Sequence, residues 1–511
     1  MTSITHASAE SVDARGRVKT LTTMGVFAAM FALGLGFSLR LLNPWDESWF
    51  VQVVARMRAG DVLYRDISYG AGPLPAYASE AVTYLTGIDV LAVKLVVVLA
   101  FAATALLAWL VAEQLEISAR GRLLLLGGLA YFAPPLQQPP YAPLATTFLL
   151  AALLAALRTR SASTTRTAAL AAMSGGAAAA LAFASKQDVG LYALAALLMA
   201  FALERRLRNC VLAFSSFAAV VAGMVGLLWL SGGLARYVDY GFTGKSAYVH
   251  ARVPFGTGLD GVIQAVRDVH SLASAEAAYW ALGFFLPCLA VGGVLALLVA
   301  TRRRVPHVLP LVTFAAAGGA TLFPRFDVLH VAYTAPILVV LMAYAVHVWR
   351  SRVPSVLLLG VAAWTALALV LMATLPLRLA RSSAADLSTL PHLRGTFVQE
   401  HDLVGWQREA ARLTSATRGD RRILLLLPDA GFRYLTTGLR NPTPFDFPFV
   451  TTFGRNGQQR VVDSLRSGRI GPVCLGRSWF GLEPTQIVNY VRTTMRARAQ
   501  LGFCTLYARK G

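Results

Sequence analysis

Adjacent carboxylates at Asp46 and Glu47 follow the first long apolar segment of the chain, in LNPWDESWFVQVVARMRAG. Two later stretches set a cation two residues before an acid: Lys186 and Asp188 in SKQD, and Arg325 and Asp327 in PRFD, with His330 three residues further on. A carboxylate within hydrogen-bonding reach can take a proton from a reacting group. A fixed lysine or arginine can hold an anion. The same residues also admit a plainer use, in which Lys186 with Asp188 and Arg325 with Asp327 are local ion pairs at helix ends and Asp46 caps a helix through its side-chain oxygen. The choice depends on whether the surrounding elements bring the three stretches together.

Those elements are set by a chain of 511 residues that is 56% hydrophobic and 14% charged, with a mean hydropathy of +0.56. Such values lie outside the soluble globular range and indicate a polytopic α-helical membrane protein. The net charge of +21 comes in short arginine clusters between apolar runs, not on one basic surface, so no nucleic acid partner is expected. Four cysteines make no disulfide framework, although Cys474 and Cys504 lie in a polar C-terminal region and could pair there if it is extracytoplasmic. Arg15, Arg17 and Lys19 precede the first apolar run, and no small-residue cleavage site follows it, which predicts a retained first helix.

Apolar runs of bilayer length predict about eleven spans, near 21–41, 90–112, 121–135, 141–157, 167–184, 188–203, 209–231, 277–300, 307–323, 328–349 and 354–376. Alternate connections carry the cations: Arg120 and Arg122; Arg158, Arg160 and Arg166; Arg205, Arg206 and Arg208; Arg302 to Arg304; Arg350 and Arg352. By the positive-inside rule these face the cytoplasm, as does the tail 1–20. The opposite short connections hold only Lys186 and Arg325 as cations, each with its acid. Asp46, Glu47, Lys186, Asp188, Arg325 and Asp327 therefore come out on one extracytoplasmic face, where ionisable groups at membrane depth usually line a cavity. An odd number of spans puts the region 380–511 on that face too, a result that one span more or fewer would reverse.

The connection 43–89 is long for an ordered loop, and long ordered loops tend to be functional. Its first part predicts a helix with Trp49, Phe50, Val53, Val54 and Met57 on one face, resting in the headgroup region, with Asp46 as its candidate N-cap. A turn-rich stretch with Gly60, Gly70, Gly72, Pro73 and Pro75 leads to a second short helix over about 74–86. Tyr64, Tyr69 and Tyr77 could stack on a sugar ring or serve as interfacial aromatics.

With these motifs in place, the opening DE of the loop, its continuation ARMRAGDVLYRDISYGAGPLPAY, SKQDVGLY at 185–192 and FPRFDVLHVAYTAP at 323–336 resemble the GT-C membrane glycosyltransferases. The nearest branch includes the bacterial protein O-mannosyltransferases and the aminoarabinose transferases of lipid A. The resemblance covers roughly 20–376 and lies more in architecture than in identity. It implies a transmembrane catalytic domain over 21–376 and an inverting transfer, at the outer face of a bacterial-type inner membrane, of a sugar carried on a polyprenyl phosphate. The acceptor would be a lipid, a glycan or a protein. By the same resemblance the essential acid of the first outward loop matches Asp46, which would act as the base on the acceptor hydroxyl. Glu47 would orient the acceptor or help hold a divalent ion. Lys186 and Arg325 would take the leaving phosphate, with Asp188, Asp327, His330, Tyr64 and Tyr69 in supporting contact. No spacing of Asp, His and Cys matches a dedicated zinc site, so a metal is an open question and no cofactor is certain.

Beyond 380 the texture changes. RRILLLLPDAGFRYLTTGL and QQRVVDSLRSGRIGPVCLG read as alternating strand and helix, predicting a small soluble α/β domain over 380–511. No glycine-rich phosphate loop follows the first strand, which argues against nucleotide binding. Two other classes fit parts of the pattern. A lipid-linked substrate transporter should show paired broken helices in two halves, which are not found. An O-antigen ligase or polymerase would draw its key residues from a large later loop, here 232–276 with Arg236, Lys245, His250 and Arg252.

Overall fold

The computed structural model describes residues 3–39, 42–131, 139–244, 252–301, 307–349, 389–417, 421–477 and 482–509, with 384–386 and short helical pieces between 359 and 370. Long runs of Ala, Leu, Val and Phe have no polar partner in lipid except their own backbone, so they fold as helices. In order these are α1 (Ser3–Ser38), α2 (Asp46–Arg58), α3 (Leu74–Thr86), α4 (Val90–Gln114), α5 (Ala119–Tyr131), α6 (Tyr141–Ser161), α7 (Thr165–Ser185) and α8 (Gln187–Leu203). They continue with α9 (Leu207–Leu230), α10 (Leu234–Val238), α11 (Phe255–Arg267), α12 (Leu272–Ala281), α13 (Leu286–Thr301), α14 (Val308–Ala320) and α15 (Val328–Trp349).

Among the described residues seven segments are long and apolar enough to cross a membrane: Thr20–Ser38, α4, α6, α7, α9, Ser274–Val299 and α15. Three more of the expected spans are the shorter helices α5, α8 and α14. The last expected span, 354–376, lies largely outside the described residues. Small side chains let the bundle pack tightly, as membrane helices require. A methyl group on Gly176 of α7 would stand 2.0 Å from the Ala213 carbonyl oxygen of α9, so only glycine fits that crossing. Leu227, Trp229 and Leu230 of α9, and Leu289, Val291 and Leu295 of α13, point outward as a lipid-facing surface would.

The connection 43–89 forms both expected helices, and the apolar face of α2 is buried against protein. Trp49, Phe50, Val53, Val54 and Met57 are all buried. The Trp49 ring stacks on Phe447 at 4.8 Å, and Gly431 lies so close to the Trp49 backbone that a methyl there would stand 2.6 Å from its Cα. The apolar face of α2 is satisfied by the C-terminal region, not by lipid. α3 keeps Tyr77, Tyr84 and Leu85 exposed, as an interfacial helix does.

The C-terminal region contains short strands and helices. Strands β1 (Ala384–Asp386) and β2 (Phe397–Gln399) pair antiparallel, and β2 is tied to the end of α1 by Phe397 N–H donating to Leu39 O at 2.8 Å. Beyond them β3 (Leu424–Leu426), β4 (Val473–Leu475), β5 (Arg496–Gln500) and β6 (Thr505–Ala508) form a sheet in the order β3-β4-β6-β5, parallel only between β3 and β4. Cys474 and Cys504 are disulfide-bonded across it, with Cα atoms 5.7 Å apart.

Polar contacts reinforce the apolar join between this region and α2. Arg56 Nη1 donates to Asp446 Oδ2 and to Thr443 O, both at 2.9 Å, while its Nε meets Asp61 at 2.7 Å. Asp446 is fully buried and also accepts from Asn441 Nδ2 at 3.0 Å. The first loop and the C-terminal sheet share one hydrophobic core.

Candidate active site

Asp46 opens α2 but does not cap it. The turn is made by Asn43, whose Oδ1 accepts from the backbone N–H groups of Trp45 at 2.9 Å and Asp46 at 3.2 Å. Asn43 Nδ2 then donates to Asp46 Oδ2 at 3.2 Å. The N-cap position falls on Trp45 without a side-chain cap, and Asn43 instead forms the turn that leads into the helix. Asp46 is half-buried. Burial raises its pKa above the usual carboxylate value of 3.8, against the lowering effects of the Asn43 hydrogen bond and the nearby charges of His330 and Arg325. The first and third motifs therefore lie within electrostatic reach of one another.

Arg325, Asp327 and His330 form one unit at the start of α15. Asp327 Oδ1 accepts from His330 N–H at 3.0 Å and lies 2.7 Å from His330 Nδ1, while its Oδ2 accepts from Arg325 Nε at 3.0 Å. Asp327 is the helix cap and the local partner of both neighbours. Burial pushes its carboxyl up, but the His330 hydrogen bonds and the charges of His330 and Arg325 outweigh this and hold it at about 2. The preceding loop is steadied by residues at the edge of the region 232–276, where Val253 N–H donates to Pro324 O at 3.2 Å and Phe326 N–H to Val253 O at 2.9 Å.

Lys186 sits at the break between α7 and α8, in extended backbone, and its Nζ lies 2.6 Å from Asp188 Oδ2. Its side chain lines a recess with Thr146, Thr321, Tyr333 and Thr334. Tyr333 lies one turn beyond His330, with the two rings edge to face at 5.6 Å. The recess of Lys186 thus adjoins the Asp327 unit through α15. The first loop closes on this same break: Gly72 N–H donates to Ser185 O at 3.1 Å, and Gln187 Nε2 donates to Gly70 O at 3.3 Å.

Three of the expected site residues are buried. Glu47 is 1% exposed, its Oε2 accepting from Asn43 N–H at 2.8 Å. Burial raises its pKa to about 7, opposed chiefly by Lys94. Tyr64 and Tyr69 are 0% exposed, packed with Trp49, Phe50 and Tyr237, and Tyr64 OH donates to Ala71 O at 2.6 Å. Sealed rings offer no face to a sugar; they build the loop's core. Among the described residues no group of three or more His, Cys, Asp or Glu is placed to hold a metal ion. Within 232–276, Lys245 and His250 lie outside the described residues, and Arg252 is exposed.

Two residues of the site were overlooked in the sequence. Asn43 needed the turn geometry to be seen. Lys94 did carry a signal: it is a lone cation within the 25 apolar-rich residues of α4, where a charge is costly and seldom idle. It is fully buried, and its Nζ donates to Ser38 O at the end of α1.

No protein-family profile and no curated protein matches the sequence. Solved structures do match. The apo crystal structure of ArnT from Cupriavidus metallidurans aligns with a TM-score of 0.58 at 14% identity, over 97% of this chain and 98% of that one. The crystal structure of the same protein bound to undecaprenyl phosphate aligns with a TM-score of 0.57 at 14% identity, over 96% and 97%. Arabinofuranosyltransferase AftD from Mycobacteria, solved by cryo-EM, aligns with a TM-score of 0.46 at 15% identity, over 96% of this chain and 40% of AftD. The chain has the fold of ArnT, the GT-C fold that its loop motifs resemble.

Proposed function

We propose that this protein is a membrane glycosyltransferase that moves a monosaccharide from a polyprenyl-phosphate carrier to an acceptor hydroxyl on the extracytoplasmic side. The reading is supported by a half-buried acid, Asp46, that feels the charges of Arg325 and His330, on a fold shared with a protein that binds undecaprenyl phosphate. Asp46 is the base. It takes the proton of the acceptor hydroxyl as the oxygen bonds to the anomeric carbon, and the bond from that carbon to the phosphate oxygen breaks on the opposite face, which inverts the configuration. The phosphate leaves with an added negative charge, which Lys186 and Arg325 neutralise. Asp188 and Asp327 keep those cations oriented, Asp327 through the Nε of Arg325. A raised pKa makes the Asp46 carboxylate a stronger proton acceptor than an exposed one.

The disulfide fits an oxidising compartment, which agrees with the side given by the arginine distribution. The test is Asp46→Asn in purified protein supplied with polyprenyl-phosphate sugars. Transfer should fall by at least about a thousandfold while undecaprenyl phosphate still binds. Retained transfer would remove Asp46 from the base role.

A further inference from the structure

The C-terminal sheet ends on an edge that the transfer chemistry does not use. Over residues 455–509 the chain carries nine arginines and two acids, Asp463 and Glu483. Both acids are engaged: Asp463 lies 3.4 Å from Arg466 Nη1, and Glu483 lies 3.7 Å from Arg492 Nη2. Arg469, Arg477, Arg496, Arg498 and Arg509 are all exposed, and none of them meets a carboxylate among the described residues. They gather on β5, the outer strand of the order β3-β4-β6-β5. Arg496 and Arg498 belong to that strand, and Arg496 pairs across to Ala508, next to Arg509. The Arg509 side chain lies over the turn that leads to Arg469, where a methyl on Gly468 would stand 2.7 Å from its Nη1. At the other end of β5, Arg477 Nη2 donates to Gln500 Oε1 at 3.4 Å. The two ends of the strand are about 14 Å apart, with Arg498 between them.

We propose that this arginine edge binds an anionic glycan, an extended chain bearing carboxylate or phosphate groups. Guanidinium groups take both kinds of anion through paired N–H donors. Charges on an edge strand also keep it from pairing with other chains. That use needs charge only on β5 itself, whereas Arg469, Arg477 and Arg509 reach its two ends from outside the strand. A bilayer surface is met with apolar side chains among the cations, and a nucleic acid with open aromatic faces for its bases. The described residues of 405–509 expose no large hydrophobic or aromatic side chain. Small and polar residues lie between the arginines instead, with Gly468, Gly471, Thr494, Ala497 and Gln500 exposed. The edge also lies across the sheet from the first loop, because the helix Ala430–Thr437, whose Gly431 packs on Trp49, follows β3 on the opposite side. The inference goes beyond the transfer reading and does not depend on it, since binding is read without turnover.

The test uses the whole protein in phosphatidylcholine nanodiscs, titrated with oligogalacturonate, with a phosphorylated mannan oligosaccharide and with neutral dextran of similar length. At least one anionic probe should bind, with affinity falling about tenfold or more between about 50 and 200 mM salt, and dextran should not. The triple variant Arg496→Gln/Arg498→Gln/Arg509→Gln should weaken that binding about tenfold or more at an unchanged unfolding temperature. The triple variant Arg408→Gln/Arg412→Gln/Arg421→Gln loses the same charge away from β5 and should bind within about twofold of wild type. If the first variant does not fold, Arg469→Gln/Arg477→Gln, both outside the sheet, should show the weakening in its place. Failure of both anionic probes to bind overturns the proposal, as does equal weakening in the two triple variants, which would reduce the effect to net charge. Capture of the nanodiscs by phosphatidylglycerol vesicles, or binding of a single-stranded oligonucleotide, more tightly than either glycan and lost in the first variant, also overturns it, because the edge then belongs to lipid or to nucleic acid.

Discussion

Gly72 joins the first loop to the break that carries Lys186, and replacing it with alanine probes whether the two halves of the cleft have to meet. A methyl group there would stand 2.1 Å from the Ala184 carbonyl oxygen, 2.3 Å from its carbon and 2.9 Å from the Phe183 oxygen, all main-chain atoms. Ordinary contact lies near 3.5 Å, so the loop has to retreat by about 1 Å or more. Retreat breaks the hydrogen bond from Gly72 N–H to Ser185 O, worth about 1 kcal/mol, and the strain of overpacking adds about 1–3 kcal/mol. A misplacement of that size also costs about a hundredfold in rate. Gly70 provides the control, since a methyl there meets only the Tyr240 oxygen at 3.7 Å. Thermal unfolding in detergent and turnover of a polyprenyl-phosphate sugar should both separate Gly72→Ala from Gly70→Ala. Equal behaviour of the two variants would refute the idea that this close approach assembles the site.

Three other perturbations follow from the same contacts. Asp446→Ala leaves Arg56, which is 16% exposed, with Asp61 and two carbonyls but without its buried partner; docking of 441–453 on α2 should weaken by about 2–4 kcal/mol, read as faster hydrogen exchange in that segment. Replacing Cys474 and Cys504 by serine opens a 30-residue loop and should destabilise the C-terminal sheet by about 3–4 kcal/mol in limited proteolysis. Asp327 has a folded pKa lowered from 3.8 to about 2, so its contribution of roughly 2 kcal/mol is complete above 3.8 and is lost as pH falls through about 2. Asp327→Asn should remove that acid-range dependence from the unfolding curve and raise donor KM by releasing Arg325.

The parts of the fold set by local chemistry were legible in the sequence. Uninterrupted apolar runs fixed most helices, and the arginine clusters sorted the connections so that DE, SKQD and PRFD fell on one face. What escaped depends on contacts between distant segments. The apolar face of α2 looked like a membrane-surface helix because nothing near it in sequence could cover it; Phe447 and Gly431, nearly 400 residues away, do so. Tyr64 and Tyr69 looked available for a sugar for the same reason. Adjacent acids look alike in a sequence, yet Asp46 is half-buried and Glu47 fully buried, with Asn43 contacting both.

The most direct measurement is a cryo-EM structure of the protein in nanodiscs with undecaprenyl phosphate. The phosphate is expected within hydrogen-bonding distance of Lys186 or Arg325, with the Asp46 carboxylate across a gap wide enough for one sugar ring, about 10–12 Å. A phosphate bound away from both cations, or an Asp46 side chain opening onto a different surface, would contradict the proposed transfer site.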